Sequence, residues 1–190
     1  MKGKTNLAAS VSARLLNRAR ATGDEFQRLL VGYCFERFLY RLGTSTLRDR
    51  FVLKGAMLLA VWSEHPYRAT RDLDLLRRGE SSNEAVLDDI RAIITTPVEP
   101  DGVEFDTAAI RIESIRAEDD YVGTRAKLPA RCGSARLTLQ IDMGLGDAVW
   151  PQARACNVPN ASRSSRPRCA RLSAGSRGCR EARGSRRARR

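Results

Sequence analysis

The sequence lacks the residues that would indicate a metal centre built on nitrogen or sulfur ligands. It contains one histidine, His65, and five cysteines without the paired spacing that binds zinc. No apolar run approaches the roughly 20 residues that cross a membrane. Residues 1–6 are not followed by the apolar segment of a secretory signal. We therefore expect a cytoplasmic protein with reduced cysteines and no membrane association.

Most of the positive charge lies in the C-terminal part of the chain. The net charge is +12, and residues 154–190 contain twelve arginines, no lysine and one acid, Glu181. The same segment has almost no aliphatic side chain larger than alanine. Such a composition buries too little apolar surface to offset the entropy lost on ordering. We therefore predict one domain over residues 1–151 and a disordered, Arg-rich tail over residues 152–190.

Apolar periodicity divides the first 151 residues into helices and short strands. Apolar residues recur at helical spacing in several segments, and glycine or proline follows two of them. Short apolar or alternating runs indicate strands, and Cys132-Gly133-Ser134 suggests the turn of a hairpin. The predicted helices cover about 5–21, 25–43, 56–62 and 81–96, and the predicted strands cover 51–53, 72–76, 103–105, 110–115, 121–128 and 135–142.

The pair Asp72 and Asp74 is the strongest chemical signal in the sequence. A strand turns successive side chains to opposite faces, so both acids share one face while Leu73 and Leu75 share the other. Neighbouring carboxylates repel each other unless a cation lies between them. Mg²⁺ binds one or two carboxylates together with substrate phosphates. The pattern fits a divalent-metal site, although a solvated acidic strand edge fits it as well.

A glycine turn precedes this strand. Lys54-Gly55-Ala56 joins the strand 51–53 to the next predicted helix. Glycine allows the backbone to approach a ligand closely, a helix N-terminus offers free N–H groups to phosphate, and lysine adds a positive charge. The turn therefore fits a phosphate-binding site. An ordinary strand-to-helix turn is the alternative.

A third carboxylate, Asp142, ends a later strand. Leu139 and Ile141 alternate with Gln140 and Asp142, so Asp142 points away from the buried aliphatic side chains. Three carboxylates on neighbouring strands are what a two-metal site needs, because its two ions lie roughly 3.5–4 Å apart. A single aspartate at a strand end is the alternative interpretation.

Three motifs together resemble the AbiEii/AbiGii-type nucleotidyltransferase toxins over about residues 6–152. They are Phe51–Leu59, Arg68–Asp74, and Leu139–Gly144 with Gly146–Pro151. The resemblance implies an α+β, polymerase-β-type nucleotidyltransferase fold with a mixed sheet flanked by helices. It implies a toxin of a toxin–antitoxin or phage-defence system that transfers a nucleotide from an NTP to the 3′ end of tRNA. It further implies Mg²⁺ or Mn²⁺ as cofactor, and NTP, RNA and a winged-helix antitoxin encoded alongside as partners.

The resemblance also assigns roles to individual residues. Asp72, Asp74 and Asp142 become the catalytic metal ligands, and Asp142 also becomes the base, or the orienting group, for an RNA hydroxyl. Ala56 stands where many nucleotidyltransferases have serine or glycine, so phosphate contact there would depend on backbone N–H groups. Salt bridges to the acids also account for the cations, and Arg125 fits either a cleft or the surface. The nucleotide contacts implied are Lys54, Gly55, Ala56, Arg68, Thr70 and Arg71.

The sequence departs from the family after Pro151. Family members continue with a helical half that carries a nucleotide-contacting lysine, whereas Lys127 is the last lysine here. We interpret the tail as an out-of-frame or truncated remnant, and the alternative is a genuine Arg-rich arm that binds RNA phosphates. The competing functions are a catalytically impaired or non-catalytic module that binds NTP, RNA or antitoxin, and an Asp-x-Asp glycosyltransferase. The short β-turn-α-β unit does not favour the glycosyltransferase.

Overall fold

The structure is a computed structural model that describes residues 6–62, 70–116, 122–145, 154–157 and 171–174. These residues form four α-helices, one 3₁₀ helix (Arg48–Arg50) and eight strands. The helices are α1 (Leu7–Thr22), α2 (Phe26–Thr44), α3 (Gly55–Trp62) and α4 (Asn83–Ile94). The strands are β1 (Phe51–Leu53), β2 (Asp72–Arg77), β3 (Val103–Phe105), β4 (Arg111–Arg116), β5 (Val122–Cys132), β6 (Ala135–Leu145), β7 (Arg154–Asn157) and β8 (Arg171–Ala174).

Side-chain caps fix where two of the helices begin. Asn6 Oδ1 accepts a hydrogen bond from the N–H of Ala9 at 3.1 Å, which satisfies one free donor of the first turn of α1. Ser82 Oγ accepts from the N–H of Ala85 at 3.2 Å and caps α4 in the same way. Helix α1 ends at Gly23, whose φ of +74° suits glycine at a helix C-terminus. Local sequence therefore sets these boundaries.

The strands form one mixed sheet in the order β3-β5-β6-β2-β1-β8-β7, and β4 also pairs with β5. Strands β2 and β6 are parallel, as are β1 and β8, whereas the other pairs are antiparallel. Strands β5 and β6 form the predicted hairpin, because Cys132 pairs with Ala135 across Gly133 and Ser134. The parallel pairing of β2 and β6 is the feature that builds the candidate site.

The hydrophobic core lies between one face of the sheet and helices α2 and α4. The strand side chains on this face include Leu73, Leu75 and Ile141, each 0% exposed. Cys34 of α2 is a buried free thiol in the same core, and burial raises its pKa to about 12, so it remains protonated at neutral pH. The opposite face of the sheet carries polar side chains such as Asp72, Asp74 and Asp142, beside the buried Val52 and Leu76.

The predicted α+β class, with a mixed sheet flanked by helices, is confirmed. The sequence did not predict β7 and β8, which form within the segment expected to be disordered, and β8 pairs with β1. The rest of residues 152–190 lies outside the described residues, so its disorder and the domain boundary at residue 151 stay predictions. Among the described helices, none is both long and apolar enough to cross a membrane.

Candidate functional site

The alternation along β2 separates its acids from its leucines. Leu73 and Leu75 are fully buried in the core, while Asp72 and Asp74 are partly exposed on the other face. Thr70 Oγ1 lies 2.7 Å from Oδ1 of Asp72 and donates a hydrogen bond to that carboxylate. The two acids therefore share one face, as the sequence predicted, and Thr70 orients the first of them.

Strand β6 brings Asp142 beside Asp74. In the parallel register of the two strands Asp74 pairs with Asp142, and Asp72 pairs with Gln140. Paired residues of neighbouring strands point to the same face, and the strands lie about 4.8 Å apart. Leu139 is buried on the core face, which leaves Asp142 on the polar face with the other two acids. The structure thus places the three carboxylates on one face of two adjacent strands.

The predicted glycine turn lies directly against this group of acids. Gly55 begins α3 with a φ of +68°, and a Cβ added to it would lie 1.9 Å from Oδ2 of Asp74. The backbone N–H of Lys54 donates to the carbonyl oxygen of Asp74 at 2.9 Å. Gly55 and Ala56 are both exposed. The start of a helix, with its free N–H groups, is therefore open to solvent next to the carboxylates.

The electrostatics of Asp74 show that the three acids interact. Partial burial raises the pKa of the Asp74 carboxyl, the charges of Asp72 and Asp142 raise it further, and Lys54 opposes them. A cation bound among these carboxylates would relieve that repulsion, because an opposite charge favours the ionised form. Carboxylate oxygens are also the ligands that Mg²⁺ and Mn²⁺ prefer. The chemistry of the three side chains therefore suits a hard divalent cation.

Asp142 has a different partner in this structure. Arg125 of β5 donates from Nε to Oδ1 and from Nη2 to Oδ2 of Asp142, both at 2.8 Å. The hydrogen bonds to Asp142 raise the pKa of the Arg125 guanidinium. Within the part of the chain that the structure describes, no three His, Cys, Asp or Glu side chains are close enough to hold a metal ion as they stand. Arg125 and a metal ion would therefore compete for Asp142.

The remaining predicted nucleotide contacts lie around the same acids, with one exception. Lys54 and Ala56 flank Gly55, Thr70 contacts Asp72, and Arg71 is exposed just before β2. Arg68 lies outside the described residues. From the sequence, Arg125 fitted either a cleft or the surface. Its pairing with Asp142 follows from the hairpin register, in which the two residues lie directly opposite each other.

Residues 37–171 match the nucleotidyl transferase AbiEii toxin family of type IV toxin–antitoxin systems, which is more than half of the chain. The chain belongs to the AbiEii family. The resemblance carried by the three motifs is thereby confirmed. The AbiEii match begins later than residue 6 and continues past residue 151, where the motifs end, to the start of β8. No curated protein matches the chain significantly.

Two solved structures resemble this AbiEii chain. One is JHP933 from Helicobacter pylori, with 14% identity and a TM-score of 0.47 over 80% of this chain and 53% of that protein. The other is a nucleotidyltransferase described as putative, also from H. pylori, with 16% identity and a TM-score of 0.44 over 78% of this chain and 54% of that one. The chain spans about half the length of each.

Proposed function

We propose that this AbiEii chain carries the catalytic acids of a metal-dependent nucleotidyltransferase toxin. Its reaction transfers a nucleotide from an NTP to RNA, with the 3′ end of tRNA as the acceptor. The observation that supports this most strongly is the pairing of Asp74 with Asp142, which brings the third acid to the pair on β2. The glycine turn packed against Asp74 supports it further.

The three acids would bind the metal and accept the proton in this reaction. Asp72, Asp74 and Asp142 would hold Mg²⁺ or Mn²⁺, which would neutralise charge on the phosphates and lower the pKa of the attacking hydroxyl. Asp142 accepts the proton of the RNA 3′-hydroxyl while the hydroxyl oxygen forms a bond to the α-phosphorus of the NTP. The bond from that phosphorus to the bridging oxygen breaks, and pyrophosphate leaves.

The residues around the acids bind the triphosphate. The exposed backbone N–H groups at Gly55 and Ala56 donate to phosphate oxygens at the start of α3. We assign Lys54, Arg68 and Arg71, with their positive charges, and the hydroxyl of Thr70 as further contacts of the same group. These assignments extend the phosphate site from the turn to the segment preceding β2.

The partners and setting follow from the family. Type IV toxin–antitoxin membership supports an antitoxin partner, and we propose that it is a winged-helix protein encoded alongside. We place the toxin in the cytoplasm, where NTP and tRNA are present, with phage defence as its role.

Labelled nucleotide transfer tests the proposal. The full chain is incubated with Mg²⁺, total tRNA and each α-labelled NTP in turn. We expect label on RNA with at least one NTP, and a loss of roughly a hundredfold or more in Asp72→Ala. Asp88→Ala is the matched control, because Asp88 is 78% exposed on α4 and is not part of the site. Transfer that persists undiminished in Asp72→Ala would refute the proposal.

A binding module without turnover is the second candidate function. The observation that favours it is the double hydrogen bond of Arg125 to Asp142, which occupies both oxygens of the third acid. Binding of an NTP without label transfer under any of the conditions above would support this candidate over the enzyme.

A further inference from the structure

We propose that Arg125 is a positioning residue, which holds Asp142 out of the metal site until the triphosphate of the substrate draws its guanidinium away. The inference rests on the proposed function, because it concerns the same acids and the same substrate class. It adds a residue whose role neither the three motifs nor the family match assigns.

Arg125 lies in a row of charged residues that crosses four strands. Glu113 of β4 pairs with Arg125 of β5, Arg125 pairs with Asp142 of β6, and Asp142 pairs with Asp74 of β2. Directly paired residues share a face, so the four side chains form one line on the polar face. Arg125 is therefore the cation nearest to Asp142 along the line that leads to Asp74.

Arg125 and a metal ion compete for the same oxygens. Both carboxylate oxygens of Asp142 accept hydrogen bonds from the guanidinium, and Gln140 Nε2 adds a third donor at 3.3 Å from Oδ2. These three donors occupy most of the roughly four lone pairs of the carboxylate, and Mg²⁺ demands near-ideal octahedral geometry from the oxygens that remain. A metal ion that takes Asp142 together with Asp72 and Asp74 therefore competes with the ion pair.

The ion pair is placed where it can open. The Arg125 side chain is 34% exposed and that of Asp142 is 20% exposed, so solvent screens the attraction and can solvate a released guanidinium. A fully buried pair would not separate at such low cost. The exposure therefore favours two states of Arg125, paired and released.

The substrate provides the best new partner for the released guanidinium. Glu113, on the other side of Arg125, already accepts from Lys127 Nζ at 2.7 Å. A guanidinium binds phosphate through two parallel hydrogen bonds, as it binds a carboxylate. A triphosphate arriving at the turn of Gly55 brings several such groups to the same face. Arg125 thus exchanges a carboxylate for a phosphate, and Asp142 becomes available to the metal.

Two titrations of the full chain test this exchange. The first measures Mn²⁺ affinity by electron paramagnetic resonance without any nucleotide, and the second measures affinity for inorganic tripolyphosphate in the presence of Mn²⁺. In Arg125→Ala we expect Mn²⁺ alone to bind about fivefold more tightly, because Asp142 is free. We expect tripolyphosphate to bind about fivefold more weakly, because the variant has no guanidinium to receive it.

Lys127→Gln is the matched control. Lys127 lies two residues along β5 on the same face and loses the same charge, but it pairs with Glu113 and not with Asp142. An effect of the lost charge alone would appear in this variant too. We expect it to change the affinities for Mn²⁺ and for tripolyphosphate by less than about twofold. Arg125→Lys keeps the charge without the two-pronged contact, so its affinities should lie between those of the wild type and Arg125→Ala.

The signs of the two shifts decide the outcome. Opposite shifts in Arg125→Ala, with small shifts in Lys127→Gln, support the exchange. Shifts of the same sign, or shifts equal to those of Lys127→Gln, overturn it. Thermal melting of Arg125→Lys is the control for retention of the fold. A wild type with the expected binding but no label transfer overturns the enzyme proposal alone. A wild type that binds no Mn²⁺ overturns both.

Discussion

At residue 55 the chain has no room for a side chain. The positive φ of Gly55 disfavours any L-residue, and a Cβ would lie 1.9 Å from Oδ2 of Asp74. Close contact between the turn and the carboxylate therefore requires glycine at this position. The proposed role of the turn in binding phosphate beside the acids depends on that contact.

Gly55→Ala should damage both stability and transfer. The left-handed backbone alone costs about 1–2 kcal/mol for alanine, and displacing Asp74 by an ångström is expected to lower transfer roughly a hundredfold. Gly32→Ala is the control, since a Cβ at Gly32 in α2 meets no described atom within 4 Å. It should stabilise the chain by about 0.5–1 kcal/mol. Urea unfolding and the labelled-transfer assay measure both effects, and equal behaviour of the two variants would contradict the prediction.

Asp74→Asn should make the chain more stable at neutral pH. The pKa of the Asp74 carboxyl is raised by burial and by the charges of Asp72 and Asp142. The stability contributed by a raised pKa is present below the pKa of the unfolded chain and is lost as pH rises through the folded pKa. Ionised Asp74 therefore opposes folding at pH 7, and asparagine removes this effect.

Thermal unfolding of wild type and Asp74→Asn between pH 3 and pH 8 checks this. The midpoint of the variant should exceed that of the wild type at pH 7, and the difference should shrink as the pH falls below the ordinary aspartate pKa. Asp88→Asn, whose side chain on α4 is 78% exposed, should show no such trend. If Asp74→Asn were less stable than the wild type at pH 7, ionised Asp74 would not be a destabilising group in the folded chain.

At the scale of elements, a buried ion network joins β2 to α4. Arg77, at the end of β2, is 0% exposed, and its Nε donates to Oδ2 of Asp89 on α4 at 2.7 Å. Its Nη1 donates to the carbonyl oxygen of Glu80. Arg50, from the 3₁₀ helix, donates to Oδ1 of the same aspartate at 2.9 Å. The network fixes the end of β2 that lies away from the acids.

Asp89→Ala should destabilise the chain by about 3–5 kcal/mol, because Arg77 would be left as a buried charge without its acid. Asp88→Ala, one residue earlier on the same helix, should change the free energy of unfolding by no more than about 0.5 kcal/mol. Its carboxylate is 78% exposed and lies 3.9 Å from Arg91. Urea denaturation of both variants gives the comparison. A loss below about 1 kcal/mol in Asp89→Ala would show that solvent reaches Arg77.

The sequence predicted which face of a strand a side chain lies on better than it predicted which strands pair with each other. The alternation of Asp72 and Asp74 with leucines, and of Asp142 with Leu139 and Ile141, correctly gave the polar face, because the period of a strand is a local property. The pairing of β2 with β6 depends on packing between segments some 70 residues apart, which no local pattern contains. For the same reason the partner of Arg125 remained open.

Buried charge and the late strands were also beyond sequence reasoning. Arg77 follows an apolar run and looks like the solvent-facing end of a strand, yet Asp89 on a different element makes its burial possible. Strands β7 and β8 have little apolar content, and β8 is held by backbone pairing with β1. Composition indicates how much apolar surface a segment can bury in a core. It carries no information on whether the backbone of the segment pairs with a strand such as β1.

At the scale of the whole molecule, the proposed catalytic acids and most of the excess positive charge lie in different parts of the chain. The acids lie within residues 72–142, whereas twelve arginines lie in residues 154–190. Arginine binds RNA phosphates without regard to sequence, and the affinity falls as salt rises. Non-specific RNA binding should therefore depend on the tail and be independent of the carboxylates.

Deleting residues 175–190 tests this separation, because it removes seven arginines and one acid. Fluorescence anisotropy with a labelled single-stranded RNA gives the slope of log affinity against log salt. We expect the slope to fall by about 0.7 for each RNA phosphate that the shortened chain no longer neutralises. Asp72→Ala should leave the slope unchanged. An unchanged slope after the deletion would place RNA binding on the folded part instead.

The parallel register of β2 and β6 makes the proposed catalytic site sensitive to whether an insertion in these strands has an odd or an even number of residues. One residue inserted just before Asp142 would rotate its carboxylate into the hydrophobic layer beside Leu75, although all three proposed catalytic acids would still be present in the sequence. Two inserted residues would restore the outward direction but displace the acid by about 7 Å along the strand. Connections between strands can lengthen at little cost. Insertions and deletions are therefore tolerable in the loops of this protein. Within β2 and β6 they should disrupt the proposed site, most of all when the number of residues is odd.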